Sequence, residues 1–116
     1  MPAVTIYHNP RCSTSRKTLE LIRAKGIEPK IIEYITTPPS HAELEKILVL
    51  LGMDPRQLMR KKEDVYRDLR LENPALTKRQ LIQAMVEHPI LIERPIVLSK
   101  GKATLGRPPE RVETIL

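Results

Sequence analysis

Residues 3–35, AVTIYHNPRCSTSRKTLELIRAKGIEPKIIEYI, decide the fold class. The run at 3–7 is short, β-branched and aromatic, which is typical of a buried strand. An amphipathic pattern follows it, and the run at 30–35 has the composition of a second strand. A strand, a helix and a strand joined by short connections form a βαβ unit, so we expect the two strands to be parallel.

The helix of this unit has a signal at each end. Ser13 or Thr14 can accept a hydrogen bond from a free backbone N–H and so act as the N-cap, and Gly26 can end the helix. The apolar face is predicted to consist of Leu19, Leu21 and Ile22.

The middle of the chain predicts a block of helices at about 41–88. Ser40 and Glu43 form a capping box for a helix over 41–51, which Gly52 ends.

Two further start signals follow in this block. Asp54 and Pro55 predict a short helix across PRQLMRK, and Thr77 and Gln80 form a second capping box for KRQLIQAMVEH, which Pro89 ends. Between them, EDVYRDLRL has a helical period, and the side chains that we expect to face inward are Val65, Tyr66 and Leu69.

The last part of the chain predicts a β-hairpin and a closing helix. PIVLS and KATLG flank Lys100 and Gly101, a two-residue turn signal, and PPERVETIL can form the helix. A βαβ unit followed, after the helical block, by ββα is the thioredoxin-like arrangement. We therefore predict one α/β domain over 1–116, with a mixed sheet and a helical insertion between its two halves.

Composition restricts the class of protein. The chain has 116 residues and one cysteine, so it needs no disulfide for a core and cannot form one internally, and no Cys/His cluster has metal-site spacing. No signal peptide or long apolar run is visible, so we expect a soluble cytoplasmic protein without a membrane partner. The net charge of +6 favours an anionic partner, while three tyrosines as the only aromatics argue against nucleic acid.

Cys12 falls where strand one should meet helix one. A helix N-terminus favours an anion, and Arg11 and Arg16 add positive charge nearby in sequence. Both effects lower a thiol's pKa from its usual value of about 8.5 and so increase the reactive thiolate. The alternative is a buried filler cysteine, but the polar and charged neighbours favour a nucleophile.

The spacing around Cys12 excludes two kinds of chemistry. No second thiol completes a C-x-x-C motif, so any adduct needs an external thiol, and no arginine stands at C-x5-R for a phosphatase loop. A bound oxyanion would need remote arginines, and the candidates are Arg60, Arg94 and Arg107. Arg94 precedes Pro95 at a strand entry, where a thioredoxin-like fold keeps a cis-proline beside the thiol.

Four segments occur in order along essentially the whole chain: IYHNPRCSTSRKTLELIR, LMRK, HPILIERPIV and GRP. Together they resemble the glutaredoxin-coupled arsenate reductases. The resemblance implies that Cys12 attacks arsenate to form a thiol–arsenate adduct. It implies that Arg60, Arg94 and Arg107 bind the oxyanion and stabilise its charge. Glutathione would be the co-substrate, with no bound cofactor, and glutaredoxin would be the partner that completes reduction to arsenite.

The resemblance gives two further residues supporting roles. His8 would lie beside the sulfur, and Ser15 would be a hydroxyl partner of the thiolate. The residues alone allow plainer interpretations, in which His8 only ends a strand and Ser15 only lies in the first helical turn.

Two other functions stay open at this point. The same fold includes regulators that bind RNA polymerase, but these typically carry a C-x-x-C switch, and here Asn9 and Ser15 occupy the flanking positions. The C-x-x-S pattern also suits a monothiol glutaredoxin-like transferase. That activity would be indifferent to Arg60 and Arg107.

Overall fold

The computed structural model describes residues 4–116. Its first three elements are strand β1 at Thr5–His8, helix α1 at Ser13–Ala24 and strand β2 at Lys30–Glu33. β1 and β2 are parallel, which confirms the predicted βαβ unit. The predicted first strand includes Ala3, which lies outside the described residues.

A β-hairpin completes the sheet. Strand β3, Ile96–Ser99, pairs antiparallel with strand β4, Lys102–Leu105, and also antiparallel with β1. Lys100 and Gly101 both have positive φ, 54° and 73°, the geometry of the tight hairpin turn that the sequence predicted. The strand order is therefore β2-β1-β3-β4, the mixed thioredoxin-like sheet.

One face of this sheet carries a hydrophobic core. α1 and the C-terminal 3₁₀ helix Pro109–Thr114 pack on it, because both turn apolar side chains toward the two central strands. The buried members of this cluster are Val4, Ile6, Leu19, Ile22, Val97, Val112 and Ile115. The C-terminal segment is helical, as predicted, but it is a 3₁₀ helix.

The chain divides into two compact units. The first runs to Thr37 and continues at Arg94–Leu116, and the second is Pro38–Glu93. The predicted insertion at about 41–88 falls inside the second unit. The prediction of a single domain stays a prediction.

The second unit contains helices α2, His41–Leu51, α3, Asp64–Asp68, and α4, Lys78–Glu87. α2 and α4 begin with complete capping boxes, as the sequence predicted, and their buried faces are apolar. Within residues 4–116, no helix combines the length and apolar composition that crossing a membrane requires.

Two details of this unit differ from prediction. The helix expected across PRQLMRK is only a 3₁₀ turn, Pro55–Leu58, because Met59 is extended and bridges to Ile92. Leu69 was expected inside but is 44% exposed, while Leu71 is buried. The helical period does not continue past α3, since Arg70 has a φ of 53° and turns the chain.

Candidate active site

Cys12 stands at the junction of β1 and α1, as predicted. The preceding turn is shaped by Asn9, whose carbonyl accepts the Cys12 N–H at 3.0 Å and whose Oδ1 accepts the Arg11 N–H at 3.0 Å. The N-cap of α1 is Cys12 itself, so the prediction that Ser13 or Thr14 caps the helix is wrong. Cys12 has extended backbone angles, and helical geometry already begins at the next residue.

The electrostatic surroundings of Cys12 favour its thiolate. Burial raises the pKa of the half-buried thiol, but the backbone N–H groups of Ser15 and Thr14 and the guanidinium of Arg94 lower it by more. The sulfur makes no cap hydrogen bond of ordinary geometry, yet these N–H groups lie at the second and third helical positions, where an N-cap side chain attracts them. The net effect is a lowered pKa.

Arg94 supplies the positive charge beside this sulfur. Its peptide bond to Pro95 is cis, as the sequence predicted, and its guanidinium hydrogen-bonds to both Cys12 and Tyr34. Burial lowers the pKa of Arg94, but these two side chains raise it by more. Two of its nitrogens, Nε and Nη1, are buried and have no hydrogen-bond partner among the described residues. Such donors are costly to bury unless a ligand satisfies them.

Arg107 joins this group through the backbone of Arg94. Its Nη1 donates to the Arg94 carbonyl at 3.1 Å, and its side chain is exposed. Arg107 also precedes a cis proline, Pro108. The structure therefore brings Cys12, Arg94, Pro95 and Arg107 to one end of the sheet.

A close packing contact holds this end of the sheet against α1. Thr18 is fully buried, and its Oγ1 donates to the carbonyls of Thr14, at 2.9 Å, and Gly106, at 3.3 Å. The Gly106 N–H donates to the Pro95 carbonyl at 3.0 Å. The segments that carry both arginines are thus fixed to the helix whose N-terminus carries the sulfur.

His8 and Ser15 form a buried pair below the turn. The Ser15 Oγ lies 2.6 Å from His8 Nδ1 and accepts the Asn9 N–H at 3.1 Å. The Ser15 hydroxyl is thus engaged by His8 and Asn9, while the Ser15 amide acts on Cys12. The predicted hydroxyl partnership between Ser15 and the thiolate stays a prediction.

The surroundings of His8 lower its pKa. Burial is the main cause of its lowered pKa, and Glu33 opposes the shift. Arg23 and Arg16 lower it further. Arg16 also donates from Nη1 to the Pro10 carbonyl at 2.8 Å, so it braces the turn before Cys12.

Arg60 lies in the second unit. Its Nε donates to Glu63 at 3.1 Å and its Nη1 to Glu93 at 3.2 Å. Its backbone N–H donates to the Leu91 carbonyl at 2.7 Å. Two carboxylates thus hold this guanidinium, and its predicted role in binding an oxyanion stays a prediction.

Comparison with known proteins agrees with this geometry. The model of the ArsC family matches residues 7–115, which is nearly the whole chain. The chain belongs to the ArsC family.

Relatives within the ArsC family cover the chain almost completely. The uncharacterized protein YfgD of Escherichia coli (strain K12) is 53% identical, with 97% of this chain and 96% of YfgD covered. An arsenate reductase of Neisseria meningitidis serogroup B (strain ATCC BAA-335 / MC58) is 47% identical over the full length of both chains. The solved structure of an arsenate reductase from Vibrio cholerae is 50% identical, covers 98% of each chain and superposes with a TM-score of 0.96.

Three residues of this ArsC-family site were not predicted from the sequence. Asn9 shapes the turn, and an asparagine before a proline is a turn signal that could have identified it. Tyr34 contacts Arg94, and its position just after β2, at the edge where parallel strands end, was the available signal. Gly106 offered no signal, because its close approach to Thr18 depends on packing between distant segments.

Proposed function

We propose that this ArsC-family protein reduces arsenate to arsenite, with Cys12 as the nucleophile and with glutathione and glutaredoxin as the source of electrons. The observation that carries the proposal is the pairing of a sulfur of lowered pKa with a guanidinium that has two buried nitrogens without a hydrogen-bond partner among the described residues. The names of the Neisseria and Vibrio relatives support arsenate as the oxyanion.

Arg94 is suited to bind a small tetrahedral oxyanion next to the sulfur. Charge-assisted hydrogen bonds from a planar guanidinium are stronger than neutral ones and match the oxygens of arsenate in direction. A bound oxyanion would satisfy Nε and Nη1, which otherwise stay buried without partners among the described residues. In this proposal Arg107 and Arg60 share the developing negative charge.

The first proposed step forms a bond between the Cys12 sulfur and arsenic. One arsenate oxygen takes up protons and leaves as water. The thiol of glutathione then displaces a second oxygen, which also leaves as water, and arsenic now carries two sulfur substituents. No electrons have reached arsenic at this stage.

Reduction follows when a glutaredoxin thiolate attacks the glutathione sulfur. A disulfide forms between glutathione and glutaredoxin, and the electron pair of the broken arsenic–sulfur bond stays on arsenic, which passes from the pentavalent to the trivalent state. Water then releases arsenite and regenerates the Cys12 thiol. Cys12 is the only cysteine of the chain, so both electrons have to come from external thiols. These donors suit the proposed cytoplasmic location.

The test is arsenite formation from arsenate by the purified protein supplied with glutathione and glutaredoxin. We expect turnover that depends on arsenate, glutathione and glutaredoxin together and that Cys12→Ser abolishes. Arg94→Lys should lose most of the activity, because a point charge does not reproduce the guanidinium geometry. Arg111→Lys, on the exposed C-terminal 3₁₀ helix, is the matched control and should be unaffected.

Other results would contradict the proposal. A folded protein that forms no arsenite under these conditions would refute it. Removal of glutathione from a mixed disulfide, at a rate insensitive to replacement of Arg60 or Arg107 by alanine, would favour a thiol transferase instead. Capture of RNA polymerase, with no oxyanion-dependent thiol oxidation, would favour a regulator.

A further inference from the structure

Tyr34 lies at the end of the sheet that carries Cys12. It directly follows β2, whose last residue, Glu33, is opposite His8 at the end of the parallel strand β1. Asn9 directly follows β1 and starts the turn that leads to Cys12. Tyr34 is fully buried, although β2 itself is mostly exposed.

The phenol of Tyr34 contacts the guanidinium that acts on the sulfur. Arg94 hydrogen-bonds to both Tyr34 and Cys12, so its side chain spans the phenol and the thiol. Arginine has several rotatable bonds, and fixing them costs conformational entropy. A tyrosine anchored in the core is rigid by comparison, so a hydrogen bond to its oxygen selects one pose of the guanidinium.

The hydrogen-bond partner of an arginine decides how much of its positive charge stays available to other groups. Arg60 is held by two carboxylates, Glu63 and Glu93, which offset its positive charge. Arg94 is instead held by a phenol, which accepts a hydrogen bond while neutral. A neutral partner orients the guanidinium and leaves its charge available to the thiolate and to an anion.

We propose that Tyr34 is a positioning residue, whose phenol oxygen accepts a hydrogen bond from Arg94 and holds that guanidinium between the Cys12 sulfur and a bound oxyanion. The part concerning the oxyanion rests on the proposed function. The part concerning the sulfur does not, because it follows from contacts present without any substrate.

The test is Tyr34→Phe, which removes the hydroxyl and keeps the buried ring. Titration of the thiolate by its ultraviolet absorbance should show a raised pKa of Cys12, since the guanidinium no longer has a fixed pose beside the sulfur. With arsenate, kcat/KM should fall roughly tenfold, about the effect of losing one hydrogen bond to a charged group. Most of the fall should be in KM, because the Arg94 contact already exists in the bound ground state.

Two further variants make the result specific. Tyr66→Phe removes the same hydroxyl from a half-buried tyrosine of α3 and should change neither the thiolate titration nor kcat/KM. In an Arg94→Met background, Tyr34→Phe should cause no further change in the Cys12 titration, because the group that Tyr34 positions is gone.

The outcomes separate this inference from the proposed function. The positioning role would be overturned if the Cys12 thiol of Tyr34→Phe titrated as in the wild type. It would also be overturned if Tyr34→Phe shifted this titration equally in the wild-type and Arg94→Met backgrounds. Absence of arsenate turnover in the wild type would refute the proposed function, while the thiolate titrations would still decide whether Tyr34 positions Arg94.

Discussion

Replacing Gly106 with alanine tests how closely the arginine-bearing segments are packed against α1. A methyl group at this position would lie 2.5 Å from Thr18 Oγ1, 2.9 Å from Thr18 Cγ2 and 2.8 Å from Pro95 Cγ. Gly106 does not have a positive φ, so alanine is compatible with its backbone and the cost is steric.

The loss of stability in Gly106→Ala depends on whether the side chains of Thr18 and Pro95 can move away from the added methyl group. The threonine is branched at Cβ, lies on a helix and is fully buried, and the proline ring cannot rotate away. Overpacking a close-packed site costs about 1–3 kcal/mol, and with three contacts this short we expect the upper end. A loss of about 3 kcal/mol corresponds to a fall in Tm of roughly 10 °C for a chain of this size.

The assay is urea denaturation of four proteins: wild type, Gly106→Ala, Thr18→Ala and the double variant. Thr18→Ala should cost about 1–2 kcal/mol, because it removes a buried hydroxyl from two carbonyls. In the double variant two of the three close contacts are absent, so its free energy of unfolding should exceed that of Gly106→Ala. Gly106→Ala within about 0.5 kcal/mol of the wild type, or strict additivity in the double variant, would refute the reasoning.

Three other properties can be measured directly. The rate of Cys12 alkylation should rise with pH around a midpoint below that of a free cysteine, and Arg94→Met should move the midpoint upward; an unchanged midpoint would contradict the contact between them. His8 has a lowered pKa in the folded state, so its contribution to stability should be present above about pH 6.5 and be lost as pH falls through the folded-state pKa. In His8→Asn, the free energy of unfolding measured by denaturation should depend less on pH over this range. Ser40→Ala should lower the free energy of unfolding by about 1 kcal/mol in the same denaturation assay, because it removes the N-cap of α2. Ala42→Ser, at an exposed site two residues later, should lower it by less than half of that.

Local signals in the sequence were sufficient for most of the fold. The capping boxes at Ser40 and Thr77 and the turn at Lys100–Gly101 each depend on residues that are neighbours in the chain. Leu69 shows the limit of such signals, because its position depends on where α3 ends, and that is decided by the turn at Arg70.

The site was predictable where it depended on topology and on motifs. Cys12 at the start of α1 follows from the βαβ unit, and the position of Arg94 follows from the proline that it precedes. The partners of these groups were harder to predict. That Tyr34 holds Arg94 depends on side-chain directions across a long sequence separation. That the Ser15 amide acts on the sulfur while its hydroxyl pairs with His8 depends on how the turn after β1 enters the helix.

Cysteine at the N-cap of α1 implies a conflict between stability and reactivity. Serine is among the preferred N-cap residues, and its hydroxyl reaches the N–H groups that the larger sulfur meets without ordinary hydrogen-bond geometry. Cys12→Ser should therefore stabilise the protein by about 0.5–1 kcal/mol at low pH, although it removes the nucleophile.

The pH dependence makes this prediction sharper. The folded-state pKa of Cys12 is lowered, so the wild type has a stabilising contribution from the thiolate that is present above the unfolded pKa and is lost as pH falls through the folded pKa. The advantage of Cys12→Ser should thus be greatest at about pH 5 and should shrink or reverse at about pH 9. Thr14→Ser, a conservative change at the second residue of α1, controls for a general effect of serine on this helix. If the difference between wild type and Cys12→Ser were independent of pH, the sulfur would not be held as a thiolate in the folded protein, and both the helix N-terminus and Arg94 would lose the role assigned to them.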